Sequence, residues 1–121
     1  MAQILIVEDS QTESMRFAQL LEKNGHTVVT AENGEEGVST AQDVLPDLVL
    51  MDVVMPGLNG FQATRQITRG EKTSHIPVVI VTTKDQETDR VWAKRQGAAA
   101  FLTKPVPEKV LMDTINQALS S

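Results

Sequence analysis

Five short apolar runs divide the chain, and each ends in polar residues followed by a stretch with helical spacing. Residues 4–7, 48–51 and 77–81 are unbroken runs, as expected of strands covered on both faces. Residues 27–31 alternate, which predicts a half-covered edge strand. Residues 100–103 make a shorter fifth strand. The intervening segments carry helix punctuation. Ser10 with Glu13 and Asn59 with Gln62 have capping-box spacing, and Asn33 stands before Gly34-Glu35-Glu36. Gly25 and Gly97 suit left-handed stops, and Leu45-Pro46 closes the second helix. Apolar stripes fall at Phe17, Leu20 and Leu21; at Val38, Ala41 and Leu45; at Phe61, Thr64 and Ile67; and at Val110, Leu111, Ile115 and Leu119. The fourth helix is expected over residues 85–96, residues 68–76 read as a loop, and Pro107 suits the first position of the fifth helix.

Strands alternating with helices specify an α/β fold of one layered domain, a parallel sheet with helices on both faces and right-handed crossovers. No linker, repeat or low-complexity tail interrupts residues 1–121, so one domain with no attached output domain is expected. Composition narrows this further. Aromatics make up 3% of residues, so Val, Ile, Leu and Ala must build the core. A net charge of −5 disfavours a nucleic-acid partner. Without cysteine there is no disulfide or thiolate chemistry. No apolar run approaches the ~18 residues of a membrane span, and no signal-peptide pattern opens the chain, so a cytoplasmic protein is expected.

The candidate chemistry lies where the strands end. Glu8 and Asp9 follow the first strand, Asp52 the third, Thr82 the fourth and Lys104 the fifth. In a parallel sheet these ends share one rim, where ligands bind. Clustered carboxylates repel one another unless protonated or bridged by a cation. An all-oxygen set favours a hard ion such as Mg²⁺. Asp52 is then placed to attack a phosphorus centre, with Lys104 and the metal offsetting charge on the transferred group.

This ordered set, Glu8-Asp9, Asp52 with Met55-Pro56-Gly57-Leu58-Asn59-Gly60, Thr82, and Lys104-Pro105, resembles the receiver domains of two-component response regulators from end to end. The segments Gly57-Leu58-Asn59-Gly60-Phe61-Gln62, Val81-Thr82-Thr83-Lys84-Asp85-Gln86 and Lys94-Arg95-Gln96-Gly97-Ala98 are similar to the stand-alone PilH-type receivers of type IV pilus chemosensory pathways. The resemblance implies a flavodoxin-like sheet of order 2-1-3-4-5. It implies that Asp52 accepts a phosphoryl group from a CheA-like histidine kinase, and that phosphorylated Asp52 decays slowly by itself. Mg²⁺ (or Mn²⁺) would be held by Glu8, Asp9, Asp52 and the Val54 carbonyl. Thr82 and Lys104 would bind the phosphoryl group, and the Lys104–Pro105 peptide would be cis. Phe101 would turn inward on activation, reporting the state through packing alone. The output would be a protein-binding face on the fourth helix, fifth strand and fifth helix, including Trp92, Arg90 and Phe101. A monomer is expected.

Plainer readings stand beside these. Asp52 alone could cap a turn, and Lys104 alone could be a solvated lysine. His26 and His75 lack ligand spacing and read as surface residues. Trp92 is either core filler or, ringed by Arg90, Lys94 and Arg95, part of a partner surface. The rival functions are a receiver that only drains phosphoryl groups, a Mg²⁺-dependent phosphohydrolase with an aspartate nucleophile, and an unphosphorylated binding module. Such hydrolases usually carry a second acid two residues after the nucleophile, where this chain has Val54.

Overall fold

The computed structural model describes residues 1–120. Strands β1 (Gln3–Val7), β2 (Thr27–Ala31), β3 (Leu48–Met51), β4 (Val78–Thr82) and β5 (Ala100–Thr103) alternate with helices α1 (Gln11–Lys23), α2 (Gly34–Val44), α3 (Gly60–Arg69), α4 (Glu87–Arg95) and α5 (Glu108–Ser120). All strands pair in parallel, in the order β2-β1-β3-β4-β5. The alternating strand is thus an edge, and the three unbroken apolar runs are the interior strands.

Period-two geometry splits the apolar runs between two cores. Leu5, Val7, Val49, Met51, Val78 and Ile80 pack with residues of α2, α3 and α4, including Val38, Ala41, Ala63, Ile67 and Ala93. Ile4, Ile6, Leu48, Leu50, Val79 and Val81 face the other way, onto Phe17 and Leu21 of α1 and Leu111, Met112 and Ile115 of α5. Each fully buried aliphatic side chain contributes about 1.5–3 kcal/mol of transfer free energy.

The helix ends follow the sequence signals, with informative exceptions. Asn59 and Gln62 form a complete capping box, and Asn33 accepts from the Glu36 N–H at 2.8 Å. Ser10 accepts from the Glu13 N–H, but the Ser10 N–H donates to Glu8 Oε2, which leaves the Glu13 side chain free to turn elsewhere. Leu45 does not join the α2 stripe. It is the C-cap, left-handed at φ 51°, and exposed, because Pro46 disfavours further helix. Helix α3 runs through Thr68 and Arg69, and the turn after it is tied down by a buried Thr73 hydroxyl donating to the Ile67 carbonyl. Helix α4 starts at Glu87, two residues late, because Asp89 caps back onto the Gln86 N–H. Pro107 precedes α5, its carbonyl accepting the Leu111 N–H. His26 is half-buried, and its Nδ1 accepts from the Ala2 N–H, so it is not a free surface residue; His75 is exposed.

Candidate functional site

Strand register builds the site. Val7 is aligned with Met51 across the β1–β3 ladder, so Glu8 and Asp52 leave the sheet side by side. The Asp52 N–H still bonds the Val7 carbonyl at 3.0 Å, and the Glu8 N–H bonds Ala31 at 3.0 Å. Thr82 aligns with Thr103, so Lys104 follows immediately on the β5 side, with its N–H on the Thr82 carbonyl at 2.8 Å. The Lys104–Pro105 peptide is cis. Register alone therefore brings Glu8, Asp52, Thr82 and Lys104 to one rim. Asp9 joins them as the first residue of the exposed turn into α1.

The side chains converge. Carboxylate oxygens of Glu8, Asp9 and Asp52 lie within 4.8 Å of one another. Glu8 and Asp52 are buried, and Asp9 is exposed. The Lys104 ammonium stands 2.7 Å from Glu8 Oε1, 3.7 Å from Asp52 Oδ2 and 3.3 Å from Glu13 Oε1. Asp52 Oδ1 accepts a long bond, 3.4 Å, from the Val54 N–H. Thr82 is fully buried, and its hydroxyl accepts the Lys84 N–H at 3.3 Å.

Electrostatics follow from this crowding. Burial pushes the Glu8 carboxyl up to about 6; the Lys104 and Ser10 hydrogen bonds pull it back, and the Asp52 charge pushes it further up. Burial works against the Lys104 ammonium, but its hydrogen bond to Glu8 and the charges of Asp52, Glu8 and Glu13 outweigh that, and the net shift is upward. A buried acid raised this far, with two more carboxylates at its edge, is a donor set that a hard divalent cation fits: oxygen ligands only, close together, and one of them open to solvent. Lys104 supplies a partial substitute for that charge.

Glu13 escaped the sequence reading. Its capping-box spacing predicts a side chain turned back to Ser10, whereas it turns to Lys104 and, at 3.8 Å, to Arg16. No one-dimensional signal distinguishes these two fates.

The residues expected on the output face divide between two surfaces. The Arg90 guanidinium lies 4.9 Å from the Phe101 ring centroid and pairs with Asp85 at 3.3 Å. Trp92, two residues on and about 200° round the helix, lines a groove against α3 with Asn59, Phe61, Gln62, Arg65 and Gln96. Neither Val91 nor Trp92 is core; they are 46% and 51% exposed, and Ala93 is the residue α4 buries.

Comparison with known proteins agrees with this architecture. The family model described as the response regulator receiver domain matches residues 4–116. Protein PilH of Pseudomonas aeruginosa is 63% identical over 120 residues, 99% of each chain. Response regulator PleD of Caulobacter vibrioides is 37% identical over 110 residues, which is 91% of this chain but 24% of that protein. Among solved structures, the chemotaxis protein CheY4 of Vibrio cholerae superposes with a TM-score of 0.91 at 28% identity, covering 98% of both chains. A response regulator from Chloroflexus aurantiacus reaches 0.94 at 25% identity, over 99% of this chain and 98% of that one. No helix among the described residues is long and apolar enough to cross a membrane.

Proposed function

Because this chain belongs to the response regulator receiver domains, we propose that it is a single-domain phospho-acceptor switch that takes its phosphoryl group on Asp52. The observation that carries this reading is the convergence of Glu8, Asp9 and Asp52 with Lys104 at one end of the sheet.

Glu8, Asp9, Asp52 and the Val54 carbonyl would hold Mg²⁺. The ion, when bound, offsets negative charge on the incoming phosphoryl oxygens. An Asp52 carboxylate oxygen attacks phosphorus, the phosphorus–nitrogen bond of a donor phosphohistidine breaks, and the electron pair returns to the imidazole. Lys104, whose ammonium already stands 3.7 Å from Asp52 Oδ2, turns its charge to the new group. The Thr82 hydroxyl donates to a phosphoryl oxygen. Water later attacks phosphorus, releasing inorganic phosphate and restoring the carboxylate. Withdrawal of Thr82 leaves room for Phe101 to turn inward, and the α4–β5–α5 surface changes as a shift between two populated states.

The donor would be a CheA-like kinase in the cytoplasm. The pathway would be type IV pilus-dependent motility, a reading supported by the 63% identity to Protein PilH. Whether the protein acts on a motility target or drains phosphoryl groups from the kinase is decided by its output contacts. The test is incubation with acetyl phosphate and Mg²⁺, followed by intact mass. One added phosphoryl group is expected, absent with EDTA and absent in Asp52→Asn. Labelling that persists in Asp52→Asn overturns the assignment, and so does a wild-type protein that neither acetyl phosphate nor a CheA-like kinase can label.

A further inference from the structure

Helix α4 presents an anomaly on its α3 side. The chain's single tryptophan is half in solvent there, beside the partly buried Phe61, in a groove of about 350 Å³. An adjoining groove of similar volume shares Gln96 and adds Arg69 and Arg95. Arg95 also stacks over the Trp92 ring at 5.7 Å. Neither groove has a carboxylate in its lining, although acids outnumber bases by 16 to 11 in the chain.

The arginines here differ from the others. Arg16 and Arg90 are each paired with an acid, whereas among the described residues Arg65, Arg69 and Arg95 enter no salt bridge. The surface is therefore two aromatic rings bordered by three uncompensated guanidinium groups, on a molecule whose net charge is −5. Exposed tryptophan and arginine together are the residue types that dominate binding energy at protein interfaces. Arg95, over the Trp92 ring and in no salt bridge, has guanidinium N–H groups that can pair bidentately with a carboxylate.

We propose that the α3–α4 groove is a docking site for a short acidic segment of a partner protein, which seats an apolar side chain against Trp92 and Phe61 and its carboxylates on Arg65, Arg69 and Arg95. Nucleic acid fits less well, because a long polyanion would also meet the acidic remainder of the molecule. A short segment touches only the local patch, and screening within about 8 Å hides the rest. The site lies across α4 from the Arg90–Phe101 contact. An acidic segment therefore reaches it without touching the Arg90–Phe101 pair.

The test selects peptides from a random dodecamer phage library on the full-length protein, then measures the best synthetic peptide by fluorescence anisotropy. The expected peptides carry surplus acid around an aromatic residue or leucine. Their affinity falls as salt rises. It falls at least about 10-fold in Trp92→Ala and in the double variant Arg65→Glu/Arg69→Glu. It is unchanged in Lys109→Glu, at an exposed ion pair on α5, and in Asp52→Asn, which separates this site from the phosphorylation reading. Circular dichroism confirms that each variant is folded. Amide NMR shifts should cluster in residues 59–65 and 92–96. The proposal is overturned if no peptide is selected, if the peptides lack acidic bias, or if the shifts fall on β5. It is equally overturned if the groove instead takes a single-stranded oligonucleotide, or a second copy of the chain whose association is lost in Trp92→Ala.

Discussion

The Lys104 ammonium donates to the Glu8 carboxylate across 2.7 Å, joining residues 96 apart in the chain. This contact crosses the rim from the end of β1 to the end of the edge strand β5, and its energetics are those of a buried pair. The lysine side chain is 12% exposed and the glutamate 4%. Removing one partner of such a pair leaves the other charge uncompensated.

Lys104→Ala should therefore destabilise the metal-free protein by about 3 kcal/mol near pH 8. Mg²⁺ should restore more stability to this variant than it adds to wild type, because the ion then neutralises carboxylates the lysine no longer serves. Thermal unfolding with EDTA and with excess Mg²⁺ measures both. Equal Mg²⁺ stabilisation of the two proteins would show that Lys104 and the cation do not share the same acids.

Glu8 sets a pH dependence with a definite sign. Its pKa, about 6 in the fold against an ordinary 4.5, is raised. Across the window from about 4.5 to about 6 the folded protein holds a proton that the unfolded chain has released. The Glu8 contribution to stability of the metal-free protein therefore falls as pH rises through that window and levels off above it. Glu8→Gln removes the effect, so its stability relative to wild type should grow over the same interval. Mg²⁺ needs the ionised carboxylate, so its affinity should weaken below about pH 6. Unfolding in EDTA from pH 4 to 8, with calorimetric Mg²⁺ titrations alongside, checks both statements. A flat difference between the two proteins would remove Glu8 as the responsible group.

Arg90 restrains Phe101. The guanidinium lies over the ring and is itself held by Asp85 and Thr103, each at 3.3 Å. An exposed cation–π contact is worth about 0.5–1 kcal/mol. Arg90→Ala should thus shift the unphosphorylated protein toward the inward Phe101 state by about 2- to 5-fold. Fluorine NMR of labelled phenylalanine reads that population directly. Phe101→Ala should still be labelled by acetyl phosphate while losing binding to its output partner. If Arg90→Ala leaves the Phe101 resonance in place, the contact has no part in the switch.

Much of this was legible in one dimension. Three unbroken apolar runs could only be interior parallel strands, and their polar terminators fell on one rim because parallel strands point the same way. Contacts between helices were not legible. Trp92 and Arg90 share a helix and a basic neighbourhood, yet two residues of rotation place them on opposite surfaces. Glu13 has cap spacing, but the Ser10 N–H it would have served is taken by Glu8. Leu45 keeps the apolar period of α2 and still leaves the core, because Pro46 ends the helix there. The causes are themselves local: rotation along the helix for Trp92, a nearer acceptor for the Ser10 N–H, and Pro46 for Leu45.

Val54 stands beside the site with half its surface in solvent and its N–H on Asp52. A valine side chain offers no hydrogen bond to a water approaching phosphorus. Val54→Asn supplies an amide that can hold such a water. The lifetime of the phosphorylated form should shorten by about 3-fold, well short of the ~10²-fold a true general base provides. Decay of the phosphorylated mass after removal of acetyl phosphate measures it. An unchanged decay rate would mean that water reaches phosphorus without help from this position.

Gly60 fixes the carboxyl end of β3 from the other side. It opens α3, its N–H bonds the Val53 carbonyl at 3.1 Å, and a Cβ built on it would lie 2.6 Å from the Val53 Cα and overlap the Asp52 carbonyl oxygen. Backbone atoms cannot yield as a flexible side chain does. Gly60→Ala must therefore push α3 away from the segment that carries Asp52. A loss of about 1–3 kcal/mol is expected, as for overpacking in a tight core. The displacement also moves the Asp52 carboxylate relative to Glu8 and Asp9, so Mg²⁺ affinity should fall even at temperatures where the variant is fully folded. Ala63→Ser, at a buried α3 position one turn further on, is the comparison: it should lose stability while keeping its Mg²⁺ affinity. If Gly60→Ala binds Mg²⁺ like wild type once folded, the close approach of α3 serves stability alone and does not position the acceptor.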